Sequence, residues 1–141
     1  MSTKFSLKLD YLVYANPDQV FEALTNPGII STWGGGFSVV EEKVGGVFEL
    51  FDGWVKGEVT IYEPGKELGY TWRPEEWSKN TIPSKVNIKL KKHDAGTAVI
   101  ISHTDFPSQE EADKHNNGWI DYVFDPMNDF FVVQKEENSN K

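Results

Sequence analysis

The stretch that most constrains the fold is 117–133. Trp119, Ile120, Tyr122, Val123, Phe124, Met127, Phe130, Phe131 and Val132 are apolar, while Asp121, Asp125, Asn128 and Asp129 return to one narrow polar stripe. That is the period of an α-helix whose apolar surface runs nearly all the way round. A helix of this kind needs other elements wrapped around it, so the rest of the chain must supply a cover. Pro126 lies inside the stretch, removing one backbone donor and crowding the preceding turn. Because the stripe keeps its phase across Pro126, a kinked continuous helix is expected rather than two separate ones.

Upstream, the chain reads as short strands broken by Gly and Pro. Phe5, Leu7, Leu9, Tyr11 and Val13 alternate with more polar positions, as on a half-buried strand. Asn16-Pro17-Asp18 carries a helix cap, a first-turn proline and an acid near the positive helix end. Val20, Phe21 and Leu24 then form the inner face of a short helix. Asn26-Pro27-Gly28 breaks it, and Ile29, Ile30 and Trp33 make a second helical segment that ends at Gly34-Gly35-Gly36. Phe37–Val40, Val47–Phe51, Trp54–Tyr62 and Leu68–Trp72 read as strands. Asp52-Gly53 is the clearest hairpin signal, and Gly57 predicts a bulge or a close backbone approach. Val86, Ile88 and Leu90 alternate with lysines and Asn87; His93-Asp94-Ala95-Gly96 turns the chain, and Thr97–Thr104 returns. Arg73–Pro83 has no clean period and reads as a long loop at a functional rim. Ser108 and Glu111 have capping-box spacing ahead of the last helix.

The expected architecture is α+β: a curved antiparallel sheet of about six or seven strands wrapped around a long C-terminal helix, with two short helices after the first strand. With 141 residues and no internal repeat, one domain over 1–134 is expected, followed by a disordered tail at 135–141.

The absence of cysteine rules out disulfides and thiolate chemistry. A net charge of −8 argues against nucleic acid or a membrane surface as a partner, since both attract clustered cations. Without a signal-like start or a bilayer-length apolar window, the expected location is cytoplasmic.

Several of these residues together resemble one family. Ala15-Asn16-Pro17, Val20-Phe21, Ala23-Leu24, Thr25-Asn26-Pro27 and Trp33 are similar to its opening strand and helix. Gly45-Gly46-Val47-Phe48, Asp52-Gly53, Gly57, Pro64-Gly65, Leu68 and Thr71-Trp72 resemble its central strands. Gly96-Thr97, His103 and Gly118-Trp119 resemble its last hairpin and closing helix. The family is the activator of heat-shock protein 90 ATPase homologue (C-terminal-domain-like) family, in the START/SRPBCC superfamily. The resemblance covers about Phe5 to Phe131 and implies a START-like helix-grip fold. It also implies two kinds of role. In the eukaryotic co-chaperone the module is the second of two domains that stimulate a chaperone ATPase, whereas stand-alone members look more like small-molecule binders. The wider superfamily holds lipids, sterols and polyketides between sheet and helix, and a few members are cyclases or hydroxylase components.

The residues themselves show no catalytic constellation. His93, His103 and His115 have no metal-like spacing, His93 and His115 read as surface residues, and His103 shares a strand face with Val99 and Ile101. His103 is either a satisfied core histidine or a polar anchor for a ligand. Asp121, Asp125 and Asp129 at i, i+4, i+8 could hold a hard cation but read better as a solvated stripe. Glu75 and Glu76 beside Trp77 form either a rim or a solvated loop. No serine lies in a nucleophile elbow, and Gly34-Gly35-Gly36 lacks the Lys-Ser or Lys-Thr of a phosphate loop. The aromatic residues carry most of the information. Trp33, Phe48, Trp72, Trp119, Tyr122 and Phe130 come from elements expected to face the interior, with His103 as the polar group among them. They serve either as plain core or as the wall of a pocket for a flat or greasy ligand. The expectation is a non-enzymatic binding domain for a hydrophobic or aromatic small molecule, with no cofactor and no metal. The alternatives are a protein-interaction module acting on a chaperone ATPase or in a stress response, and a cyclase-like or hydrolytic enzyme using His103 and a carboxylate.

Overall fold

A computed structural model of the protein describes residues 5–139, with side chains through 137. Strand β1 (Phe5–Val13) is followed by helices α1 (Pro17–Thr25) and α2 (Pro27–Gly34). Six more strands follow: β2 (Val39–Val40), β3 (Val47–Leu50), β4 (Val55–Glu63), β5 (Glu67–Pro74), β6 (Ser84–His93) and β7 (Gly96–Phe106). All seven form one antiparallel sheet in the order β1-β7-β6-β5-β4-β3-β2. The chain closes with α3 (Gln109–Gly118), a π-helical segment (Trp119–Phe124) and α4 (Asp125–Ser139). This is the expected α+β helix-grip architecture: a curved sheet, two short helices after its first strand and a long C-terminal helix.

Local chemistry accounts for the elements. Asn16 and Gln19 form a reciprocal capping box at α1, with N–H to side-chain oxygen distances of 2.9 and 3.0 Å. Ser108 caps α3 by accepting from the Glu111 N–H at 3.1 Å. At the Asp52-Gly53 turn, Phe51, Asp52 and Gly53 all take positive φ (55°, 60° and 83°). Gly57 marks a close backbone approach rather than a bulge: a Cβ there would lie 1.8 Å from the Thr71 carbonyl oxygen. The register shift in this pair falls instead between Val59 and Ile61.

Inward-facing side chains of successive strands meet in register, as at Leu68, Ile88 and Ile101, and all three are buried. At the centre of the core Phe48 stacks on Tyr70 with ring centroids 3.8 Å apart.

The long helix departs from the expectation of burial nearly all round. Trp119, Val123, Phe124, Met127 and Phe131 are buried, whereas Tyr122, Val132 and Val133 are exposed. The helix therefore lies with one face in the sheet and the other in solvent. At Pro126 the chain does not break. The preceding turn widens to a π-helix, in which the Asp125 N–H bonds to the Ile120 carbonyl. One extra residue in that turn absorbs the donor that proline lacks. The polar stripe is not simply solvated either, because two of its residues tie the helix to β1 and to the residue that follows it. Asp125 accepts from the Tyr11 hydroxyl, and Asn128 accepts from the Tyr14 N–H at 2.9 Å. Helix α4 continues to Ser139, into the stretch 135–141 expected as a disordered tail; Gln134, Lys135, Glu136 and Glu137 are good helix formers without an apolar face. Residues 140–141 of that stretch lie outside the described residues. No described helix is long and apolar enough to cross a membrane.

Candidate functional site: an aromatic pocket over two buried histidines

The site is a pocket of about 450 Å³ between α2, the β3–β4 turn, β5 and the final helical run. Each wall has a local cause. Asn26 caps α2 by accepting from the Gly28 and Ile29 N–H groups, which fixes the helix that carries Trp33. The Trp33 indole donates to the Ala23 carbonyl at 2.9 Å, locking α2 onto α1. The positive-φ turn after β3 delivers Phe51 and Trp54. Trp72 comes from β5, and the π-helical segment supplies Trp119, Asp121, Tyr122 and Val123. From α3 come Glu111, Lys114, His115 and Gly118, and from the loop after β5 comes Glu76.

That loop is fastened down. Trp77 is buried against Phe106 and Ala112, and its indole donates to Glu111 Oε1 at 3.0 Å. Glu111 thus bonds across to the loop instead of closing a capping box with Ser108.

Beneath the pocket lies a buried histidine–tryptophan network. The Trp72 indole donates to His115 Nε2 at 3.0 Å, and His115 Nδ1 donates to the Glu111 carbonyl at 2.8 Å. The Trp119 indole donates to His103 Nδ1 at 3.1 Å. His103 Nε2 lies 2.7 Å from Ser84 Oγ, whose own proton goes to the Trp72 carbonyl at 2.7 Å. These partners fix each tautomer: Nδ1–H in His115 and Nε2–H in His103. They also require both rings to be neutral, because protonation would set two N–H donors against each other. Burial, together with the neighbouring His115, holds His103 well below its ordinary value of 6.5. Burial lowers His115 as well, opposed by the carbonyl and carboxylate of Glu111 and by the Glu76 carboxylate. Each of the four ring nitrogens is engaged, so neither imidazole can serve as a proton shuttle without losing an indole partner.

Of the residues the sequence singled out, Trp33, Trp72, Trp119 and Tyr122 meet at the pocket. Tyr122 does so from the outside: expected to face the interior, it is 70% exposed at the mouth because it lies on the outer side of the π turn. Phe48, His103 and Phe130 do not line the pocket. Phe48 and His103 are fully buried behind it, and Phe130 packs half-buried against the core beside Phe131. His115, expected at the surface, is buried and lines the pocket. A signal for it was available, since His115 and Trp119 stand four residues apart on one helical face. Phe51 and Trp54 were also missed, although the Asp52-Gly53 turn between them had to present both at one end of the sheet. Glu76 forms part of the rim, and Asp121 adds a carboxylate from the polar stripe. Among the described residues no group of histidines and carboxylates could hold a metal ion.

The protein-family model described as Activator of Hsp90 ATPase homolog 1-like protein matches residues 14–131. A mouse protein, Activator of 90 kDa heat shock protein ATPase homolog 1, is 23% identical over 91% of this chain, which spans 37% of that relative's length. An HSP90 activator from Plasmodium falciparum has the same fold, with a TM-score of 0.77 and 22% identity over 93% of this chain and 97% of that one. A protein of the dynemicin biosynthetic locus also superposes, with a TM-score of 0.77 and 20% identity over 92% of this chain and 48% of that one.

Proposed function

Because the chain belongs to the Activator of Hsp90 ATPase homolog 1-like family, a family with both chaperone-linked and other members, we propose that its own role is to bind a hydrophobic or aromatic small molecule. The carrying observation is the pocket of about 450 Å³ walled by Trp33, Trp54, Trp72 and Trp119. That volume is within the roughly 300–1,000 Å³ of pockets that enclose drug-sized ligands, and the wall is mostly apolar with a few polar groups at its edge. The domain binds without catalysing. Its two buried histidines are neutral and fully hydrogen-bonded, so the groups best suited to acid–base chemistry hold up the pocket floor instead.

The test is a titration with sterols, flavonoids and fatty acids, followed through the indole N–H resonances. A ligand in the pocket shifts Trp33, Trp72 and Trp119, whose rings line it. If no compound moves those three resonances, the reading fails.

A second reading is action on a heat-shock protein 90 chaperone, favoured by the names of the mouse and Plasmodium relatives. Its test is the chaperone's ATPase rate with increasing amounts of this protein. A rate that stays flat at saturating concentration removes it.

A further inference from the structure

The pocket is unequal in what it offers a ligand. Its largest donors are already engaged by the protein. The indole N–H groups of Trp33, Trp72 and Trp119 point at the Ala23 carbonyl, His115 and His103. The His115 N–H is bonded to the Glu111 carbonyl. Trp54, Tyr122 and Lys114 are the side-chain donors that remain, and Lys114 is drawn toward Glu110, 3.9 Å away on the same helix. Acceptors, by contrast, are plentiful. Glu76, Glu111 and Asp121 bring three carboxylates to the lining against the single ammonium of Lys114, with only Glu111 Oε1 already engaged, by the Trp77 indole. Two of them, Glu111 and Glu76, also act on His115 at the floor to favour positive charge, against burial and the Lys114 ammonium. Aromatic faces reinforce the same preference, since the ring quadrupole attracts a cation and repels an anion. A carboxylate or phosphate ligand would find few N–H groups and a negative rim. A ligand with a flat body and an ammonium head would place its body among the indoles and its charge at the carboxylates.

We propose that this pocket selects cationic aromatic ligands, amines protonated at neutral pH, over neutral or anionic compounds of the same shape. The proposal rests on the small-molecule reading above and specifies its ligand class.

Three isosteric probes separate the two ideas: 1-naphthylmethylamine, 1-naphthalenemethanol and 1-naphthoate, titrated into the full chain by calorimetry at low and at physiological salt. The expected order is amine, then alcohol, then carboxylate. The amine should bind about tenfold more tightly than the alcohol, a ratio equivalent to about 1.4 kcal/mol. That ratio should shrink as salt rises, because the rim charges are partly exposed. In Glu76→Gln/Asp121→Asn, two exposed positions whose charge is removed with little change in shape, the ratio should fall toward one. Equal or tighter binding of the alcohol overturns the charge inference and leaves the small-molecule reading standing. Failure of all three probes, together with the sterol, flavonoid and fatty-acid panel, overturns both. An amine preference that survives unchanged in the double variant overturns the assignment of the preference to Glu76 and Asp121 and leaves Glu111 and the ring faces as its source.

Discussion

Replacing His103 with leucine tests the network beneath the pocket most directly. Leucine approximates the volume of imidazole but can neither accept from the Trp119 indole nor donate to Ser84 Oγ, bonds of 3.1 and 2.7 Å in the native protein. Trp119 is 2% exposed, so its N–H would be stranded away from water. A stranded buried donor costs about 1–3 kcal/mol, and each lost hydrogen bond about 1 kcal/mol net. Against this, leucine avoids the desolvation of a polar ring and gains apolar burial of about 1–2 kcal/mol. The balance is a loss of about 2–3 kcal/mol. For a chain of this length, at about 2–4 °C per kcal/mol, Tm should fall by roughly 5–10 °C. Urea unfolding followed by far-ultraviolet circular dichroism measures the loss, and Trp119→Phe completes a double-mutant cycle. A coupling of about 1–2 kcal/mol between the two positions is expected, because each substitution removes the same bond. A loss under about 1 kcal/mol, with strictly additive variants, would show that the histidine–tryptophan bond contributes nothing and would refute the reasoning.

Other perturbations follow from the same contacts. Both buried histidines have depressed values in the folded state, so below about pH 6.5 the unfolded chain binds more protons than the folded one. Stability is therefore complete above that pH and falls as pH drops toward the folded values, by up to about 1.4 kcal/mol per pH unit for His103. Urea midpoints that match at about pH 7.5 and about pH 5.5 would contradict this, and His103→Leu should flatten the dependence. Asn16→Ala removes one half of the α1 capping box and should cost about 1 kcal/mol by thermal unfolding; an unchanged Tm counts against the cap. Gly57→Ala drives a methyl group to 1.8 Å from the Thr71 carbonyl, so a loss of about 3 kcal/mol or more is expected. A variant as stable as the parent would mean that β4 and β5 can separate at that point.

Most of the fold was legible because its signals are local. Alternation along β6, the caps at Asn16 and Asn26 and the Asp52-Gly53 turn each depend on a few neighbouring residues. The site was legible only in part. Trp33, Trp72 and Trp119 could be chosen as inward-facing, yet nothing local separated a ring that lines space from one that fills it. Phe48 on β3 and Trp72 on β5 lie in the same sheet with β4 between them; one is sealed in the core and the other borders the pocket. The difference comes from what the helices leave uncovered.

By itself the sequence determined that a largely apolar helix would close an antiparallel sheet, where the strands turn, and which side of most strands faces inward. Those outcomes follow from backbone periodicity and turn chemistry, both short-range. Only the tertiary structure decided that the helix buries one face and exposes Tyr122, that Asp125 and Asn128 tether it to Tyr11 and Tyr14, and that His115 belongs under the pocket. His115 meets Trp72 and His103 meets Trp119 across separations of 43 and 16 residues. The π turn before Pro126 sets the rotation of the helix, and with it which side chains face the sheet. A hydrogen bond between distant residues depends on how the elements are placed, and that placement is settled only when the whole core packs.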